Sequence, residues 1–154
     1  MILFIFLFHT SLGLINSDFD SPFMKSDFIK IYQDFGKKAK PNGLICSVQI
    51  DNKGMMYQLK VNAPINSIED GKVVYVCDSC SENRGKIITI EYPENLKVSY
   101  YHLDTIIVSE NQLVKKGEQI GVSGISGRTV VNCLGVRVER NDSIINPSNI
   151  IKRE

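Results

Sequence analysis

From Leu44 onward the chain is a succession of strand-length runs rich in Val, Ile, Tyr and Thr, each closed by Gly, Asn, Asp or Pro. Such spacing leaves no room for helices of ten residues or more, and it suits strands that follow one another at short intervals. Strands are expected at 44–50, 55–61, 71–76, 86–91, 97–101, 119–122 and 134–139. At 154 residues the chain holds one domain, mainly β, since domains average roughly 100 to 200 residues. Upstream the period differs. Phe28, Ile31, Tyr32 and Phe35 fall at i, i+3, i+4 and i+7, which predicts a short N-terminal helix capped by Ser26 or Asp27 and closed at Gly36. Lys37, Lys38, Lys40, Pro41, Asn42 and Gly43 then read as a polar linker. The expected organisation is helix and linker over 18–43 and the β domain over 44–154.

Residues 1–15 form an apolar run of signal-peptide length, too short for a comfortable membrane anchor. The segment 1–17 is read as a secretory signal, cleaved after Gly13 or Ser17, although the usual basic start is missing. A buried N-terminal strand or helix is the competing reading. Eighteen Lys plus Arg against 17 Asp plus Glu give a net charge of +1, which removes the basic footprint that nucleic acids and anionic membranes select. The product expected is secreted, extracellular or periplasmic, with no membrane attachment after signal removal.

In an oxidising compartment the four cysteines, Cys46, Cys77, Cys80 and Cys133, read first as disulfides with three possible pairings. Cys46 with Cys133 would join the first strand of the domain to the last. Cys77-x-x-Cys80 could also be half of a zinc knuckle or a redox pair. A loop composition follows it, and no second close ligand pair exists, so disulfides are preferred.

Particular residues carry a family resemblance. Asp70-Gly71-Lys72-Val73-Val74, Tyr100-Tyr101-His102-Leu103 and Val114-x-x-Gly117-x-x-Ile120-Gly121-x-Ser123-Gly124 follow the order and spacing of the lysostaphin-type (LytM) zinc endopeptidases. The match runs on through Gly127-Arg128 to the segment where the family writes G-P-H-L-H-F-E, and ends at Ile145-Asn146-Pro147. The chain resembles that family over about two thirds of its length. The resemblance implies a β-sandwich or barrel-like core, the duplicated hybrid motif, with a groove on one sheet.

Active members bind zinc through H-x-G-x-D and the second His of H-x-H, and cleave peptide cross-bridges of peptidoglycan. Here the first motif falls on Asn52-Lys53-Gly54-Met55-Met56 and the second on Cys133-Leu134-Gly135. Asn52 and Met56 replace His and Asp, and Gly135 replaces the ligand His. Only His102, the family's auxiliary catalytic His, is retained, and the sole other His, His9, lies in the signal segment. Zinc sites of this kind need three protein ligands and an open position for water. No metal and no cofactor are therefore expected, although the family's is zinc. The expected groove comprises Asn52, Met56, Tyr100, His102, Cys133 and Gly135.

Three functions remain open on these residues. The leading one is a secreted pseudo-peptidase that acts by binding a peptidoglycan-like glycan-peptide or a protein partner such as an amidase. The second is an active endopeptidase, using zinc on Cys and His ligands or a Cys133–His102 pair. The third is an extracellular signalling or structural module of the same fold. His102 is also readable as a strand His packed among Tyr92, Tyr100 and Tyr101.

Overall fold

Antiparallel pairing organises the chain. The computed structural model describes residues 19–37, 53–79 and 84–152, and these contain ten strands of one open sheet. They are β1 (Phe28–Gln33), β2 (Met55–Leu59), β3 (Pro64–Asn66), β4 (Gly71–Cys77) and β5 (Lys86–Tyr92), followed by β6 (Leu96–Ile106), β7 (Leu113–Val114), β8 (Gln119–Ser123), β9 (Cys133–Arg140) and β10 (Ser143–Ile145). The spatial order is β1-β2-β9-β6-β5-β4-β7, with β10 on β9, β8 on β6 and β3 on β8. The 11-residue β6 is the hub. Its first half lies between β5 and β9, and its second half pairs with β8.

Side-chain alternation sorts the two faces of this sheet. Leu134, Val136 and Val138 of β9 are fully buried and pack with Val98 and Tyr100 of β6, Ile88 and Ile90 of β5 and Val73 of β4. Ile65 of β3, Ile68 and Ile120 of β8 belong to the same core. Each such side chain contributes about 1.5–3 kcal/mol by leaving water. The intervening residues of β9, Cys133, Gly135, Arg137 and Glu139, therefore turn to the opposite face. That face carries the site.

Asp70 fixes one corner of the frame. Its carboxylate accepts from the Lys115 ammonium at 2.9 Å and from the Lys116 backbone N–H at 2.9 Å. The lysines hold its pKa below the ordinary carboxylate value. Gly71 follows because a Cβ there would lie 2.6 Å from the Tyr92 ring and 2.8 Å from the Glu91 carbonyl oxygen, so β4 approaches β5 only without a side chain.

The helix expected over residues 28–35 is not formed. Phe28–Gln33 is the edge strand β1, paired with β2, and the only helical turn nearby is a 3-10 turn at Lys25–Asp27. The physical reason is in the pairing. β1 carries irregularities between Phe28 and Lys30 and between Ile31 and Gln33, and each extra residue shifts the two-residue period. Apolar side chains then recur at helical spacing on a bulged strand. Within the segment 18–43, β1 is built into the domain sheet, and the expected linker from Lys38 lies outside the described residues.

The six expected strands from residue 55 onward coincide with β2, β4, β5, β6, β8 and β9. The strand expected at 44–50 and Cys46 lie outside the described residues. Cys77 is disulfide-bonded, and Cys80 also lies outside the described residues. Cys133 keeps a buried thiol, which excludes the Cys46–Cys133 link. Its place inside an apolar cluster on the sheet explains why it behaves as a small hydrophobe.

Candidate functional site

The face opposite the core brings four of the six expected groove residues together. Met56 of β2 is the register partner of Gly135 of β9, and Gly135 is also the partner of Tyr101 of β6. Met56, Tyr101, Cys133 and Ile87 pack as one buried apolar cluster, with Tyr32 and Val131 against it. A Cβ at Gly135 would lie 3.2 Å from the Tyr101 Cβ and 3.4 Å from His102 Cδ2. Tyr101 and His102 thus crowd the place from which a side chain at position 135 would project.

A bulge puts both of them there. Between the pairs Leu103↔Lys86 and Tyr100↔Ile88, Tyr101 and His102 stand opposite Ile87 alone. His102 takes up the extra residue with φ +65°, a left-handed conformation that costs an L residue about 1–2 kcal/mol. Its backbone N–H donates to the Arg84 carbonyl at 3.1 Å. Bulges of this kind re-aim a side chain and recur beside active sites.

His102 is fully buried. Nδ1 lies 2.8 Å from the Ser126 carbonyl oxygen, which can only accept, so the ring proton of the neutral form sits on Nδ1. Nε2 keeps its lone pair, is buried and has no hydrogen-bond partner. Ser126 also accepts the Lys86 N–H at 2.9 Å and donates to the Leu103 carbonyl, which locks the loop that orients the imidazole. Burial lowers the His102 pKa, and the Ser126 carbonyl opposes this only in part.

A pH dependence follows. The unfolded chain takes up a proton at His102 near the ordinary imidazole value of about 6.5, whereas the folded chain does so only at lower pH. Stability is then complete above 6.5 and falls as pH drops toward the folded value. Thermal melts between pH 7.5 and pH 5 are expected to show this fall. It should be absent in His102→Asn, whose side chain tolerates the left-handed backbone.

On this face the described side chains offer few metal donors. Met56 offers a thioether, Gly135 no side chain, and among the described residues no group of three or more His, Cys, Asp or Glu could hold a metal. A Cys133–His102 pair is not assembled either. The imidazole's one hydrogen bond goes to Ser126, and the Cys133 thiol lies 3.3 Å from Thr129 Oγ1.

Beside this cluster runs a groove of about 510 Å³. Its floor is Ile87 and Thr89 of β5 and Ser99 and Tyr101 of β6; Tyr75 and Arg84 flank one side, Arg137 and Glu139 the other. The Arg84 guanidinium stands over the Tyr101 ring at 5.5 Å. Arg137 Nη2 pairs with Glu139 at 2.6 Å. The lining thus carries two guanidiniums and one carboxylate.

The expected site is corrected in one residue. Tyr100 points into the core, where its hydroxyl lies 2.9 Å from that of Tyr92, because it alternates with Tyr101 on β6. Met56, His102 and Cys133 are brought together but closed from solvent, and Asn52 lies outside the described residues. Tyr75, Arg84, Tyr101 and Arg137 escaped the sequence reading. Arg137 was within reach, since extending G-P-H-L-H-F-E two residues past Gly135 places it at the terminal Glu.

The open antiparallel sheet is the fold of solved M23 catalytic domains. The chain belongs to peptidase family M23, whose model matches residues 51–147. The peptidoglycan DD-endopeptidase ShyB of Vibrio cholerae is 35% identical over 79 residues, covering 51% of this chain and 18% of that protein. The murein hydrolase activator NlpD of Escherichia coli is 33% identical over 76 residues, 49% of this chain and 20% of that protein. A zinc-containing peptidase from Vibrio cholerae superimposes with a TM-score of 0.66 at 26% identity, covering 87% of this chain and 39% of that one. The chain spans about a third or less of the length of the curated relatives it matches. No helix among the described residues is long and apolar enough to cross a membrane.

Proposed function

We propose that the chain is an extracytoplasmic M23 domain that binds a glycan-peptide strand of peptidoglycan without cleaving it, and that it serves as a regulator of cell-wall hydrolases. The observation that carries this reading is the pairing of Met56 with Gly135, the positions that the sequence resemblance aligns with two family ligands, with Met56 packed in a buried apolar cluster with Tyr101, Cys133 and Ile87. A hydrolase needs there an ion and an activated water. The groove beside it keeps what recognition requires: an aromatic face at Tyr75, hydroxyls at Thr89 and Ser99, and guanidiniums suited to the carboxylates of a stem peptide. The relative named murein hydrolase activator supports regulation as the purpose of binding.

The test is co-sedimentation of the full chain with purified peptidoglycan in the presence of zinc, with the supernatant assayed for released fragments. Binding without release is expected, and Arg137→Glu should weaken it about tenfold, or ~1.4 kcal/mol. Zinc-dependent release that a chelator abolishes would refute the reading, as would absence of binding by the unaltered chain. Addition of an amidase then tests the regulatory part: its rate on the same peptidoglycan should rise with the chain present.

A further inference from the structure

A second concavity, of about 190 Å³ and chiefly apolar, opens at the β1 edge of the sheet, away from the groove. Phe23, Phe28, Ile31, Tyr57 and Ile151 form its wall. Three of these are rings already in contact: Phe23 meets Tyr57 at 5.1 Å, tilted by 56°, and Phe28 meets Tyr57 edge-on at 6.5 Å. The charged residues that line it are Lys25 and Lys152.

The wall is held by backbone. Phe19 N–H donates to Ile150 and Lys152 N–H to Phe19, at 3.2 and 2.9 Å; Asn66 N–H reaches Pro22 at 2.8 Å, and Lys60 N–H reaches Asp27 at 2.9 Å. The segment 19–27 is thereby sewn to both the C-terminal strand ends and the β2–β3 connection, and the pocket is formed before any ligand arrives. Asp20, the acid close by, pairs with Lys116 at 3.1 Å and more loosely with Lys152 at 3.7 Å. Lys25 and Lys152 are thus the cations of the lining, Lys152 sharing Asp20 with Lys116.

We propose that this pocket receives one large apolar side chain, phenylalanine or leucine, from a partner peptide whose carboxylate lies against Lys25 and Lys152. Size supports it, since an apolar cavity of about 150 Å³ takes up benzene and this one is somewhat larger. Charge supports the carboxylate. The site is independent of the groove and of whether the chain cleaves anything.

The probes are N-acetyl-L-phenylalanine, its neutral amide, and N-acetylglycine, titrated into the isotope-labelled full chain and followed by methyl and amide NMR. The acid should give saturable shifts of the Ile31 and Ile151 methyls, and the amide should bind about fivefold more weakly, the most that one exposed ion pair supplies. Lys25→Gln with Lys152→Gln should abolish the preference for the acid while leaving the amide's affinity unchanged. Ser21→Phe, which fills the mouth, should abolish both, with the remaining spectrum intact as proof of folding. Equal affinity for acid and amide, binding of N-acetylglycine as tight as that of the ring ligands, or shifts that miss Ile31 and Ile151 would each overturn the proposal.

Discussion

Met56→Asp, which puts a carboxylate at the position the family resemblance aligns with a metal ligand, is expected to destabilise the chain by about 3 kcal/mol or more at pH 7. Met56 is 1% exposed and packs with Tyr101, Cys133 and Ile87. A carboxylate there loses its hydration with no cation in the cluster to replace it. Burial raises such a pKa, so the folded chain keeps the proton that the unfolded chain releases near pH 4. The loss should therefore grow as pH rises from about 4 and lessen in acid. Melts of the variant with and without zinc decide what the position means. If the pocket were a latent metal site, zinc would raise the melting temperature of the variant by mass action. We expect no such rise, because Gly135 supplies no second donor and a side chain at 135 would meet Tyr101 at 3.2 Å. A zinc-dependent rise in the single variant would show that donors remain close enough to coordinate.

The contrast between what the sequence made legible and what it did not lies within β6 and β1. Strands such as β9 and β5 stand out because each is a run of seven or more residues carrying several Val, Leu, Ile or Tyr. The family resemblance set Met56 and Gly135 at corresponding site positions, and the two are paired across β2 and β9. Bulges erase the rest. In β1 two irregularities convert alternation into an i, i+3, i+4 pattern, which reads as a helix. In β6 the extra residue at His102 sends two consecutive side chains, Tyr101 and His102, toward Gly135. Reading Tyr100 as a groove residue failed for the same reason, because no pattern of residue types announces where a strand slips by one. The short strands β3, β7 and β10 lacked enough residues to show any period. The groove's arginines are a different case: Arg84 precedes β5 and comes over Tyr101 only through the fold.

Tyr100→Ala should be the most damaging single substitution on β6, at about 3–5 kcal/mol by analogy with other large aromatic truncations, while Tyr100→Phe should cost only about 1 kcal/mol. The difference comes from the hydrogen-bond chain in which the phenol ends. Ser67 Oγ donates to the Glu69 carbonyl at 2.8 Å, so it accepts from the Tyr92 hydroxyl at 3.0 Å, which in turn accepts from Tyr100 at 2.9 Å. Tyr100 stands at the donor end. Its removal as phenylalanine leaves Tyr92 still donating to Ser67, and one net hydrogen bond is lost. Alanine instead empties a site with no solvent exposure between Ile88, Val98, Leu134 and Val136, where the surrounding strands are hydrogen-bonded and collapse little. Burial also raises the Tyr100 pKa well above 10. The unfolded chain ionises first as pH climbs past 10, so the native protein should lose stability there, and Tyr100→Phe should lessen that loss. Urea melts of the three chains at pH 7 and pH 10.5 measure both effects. A phenylalanine variant as unstable as the alanine one would mean that the hydroxyl chain, rather than the packing of the ring, holds β5 and β6 against the β3–β4 connection.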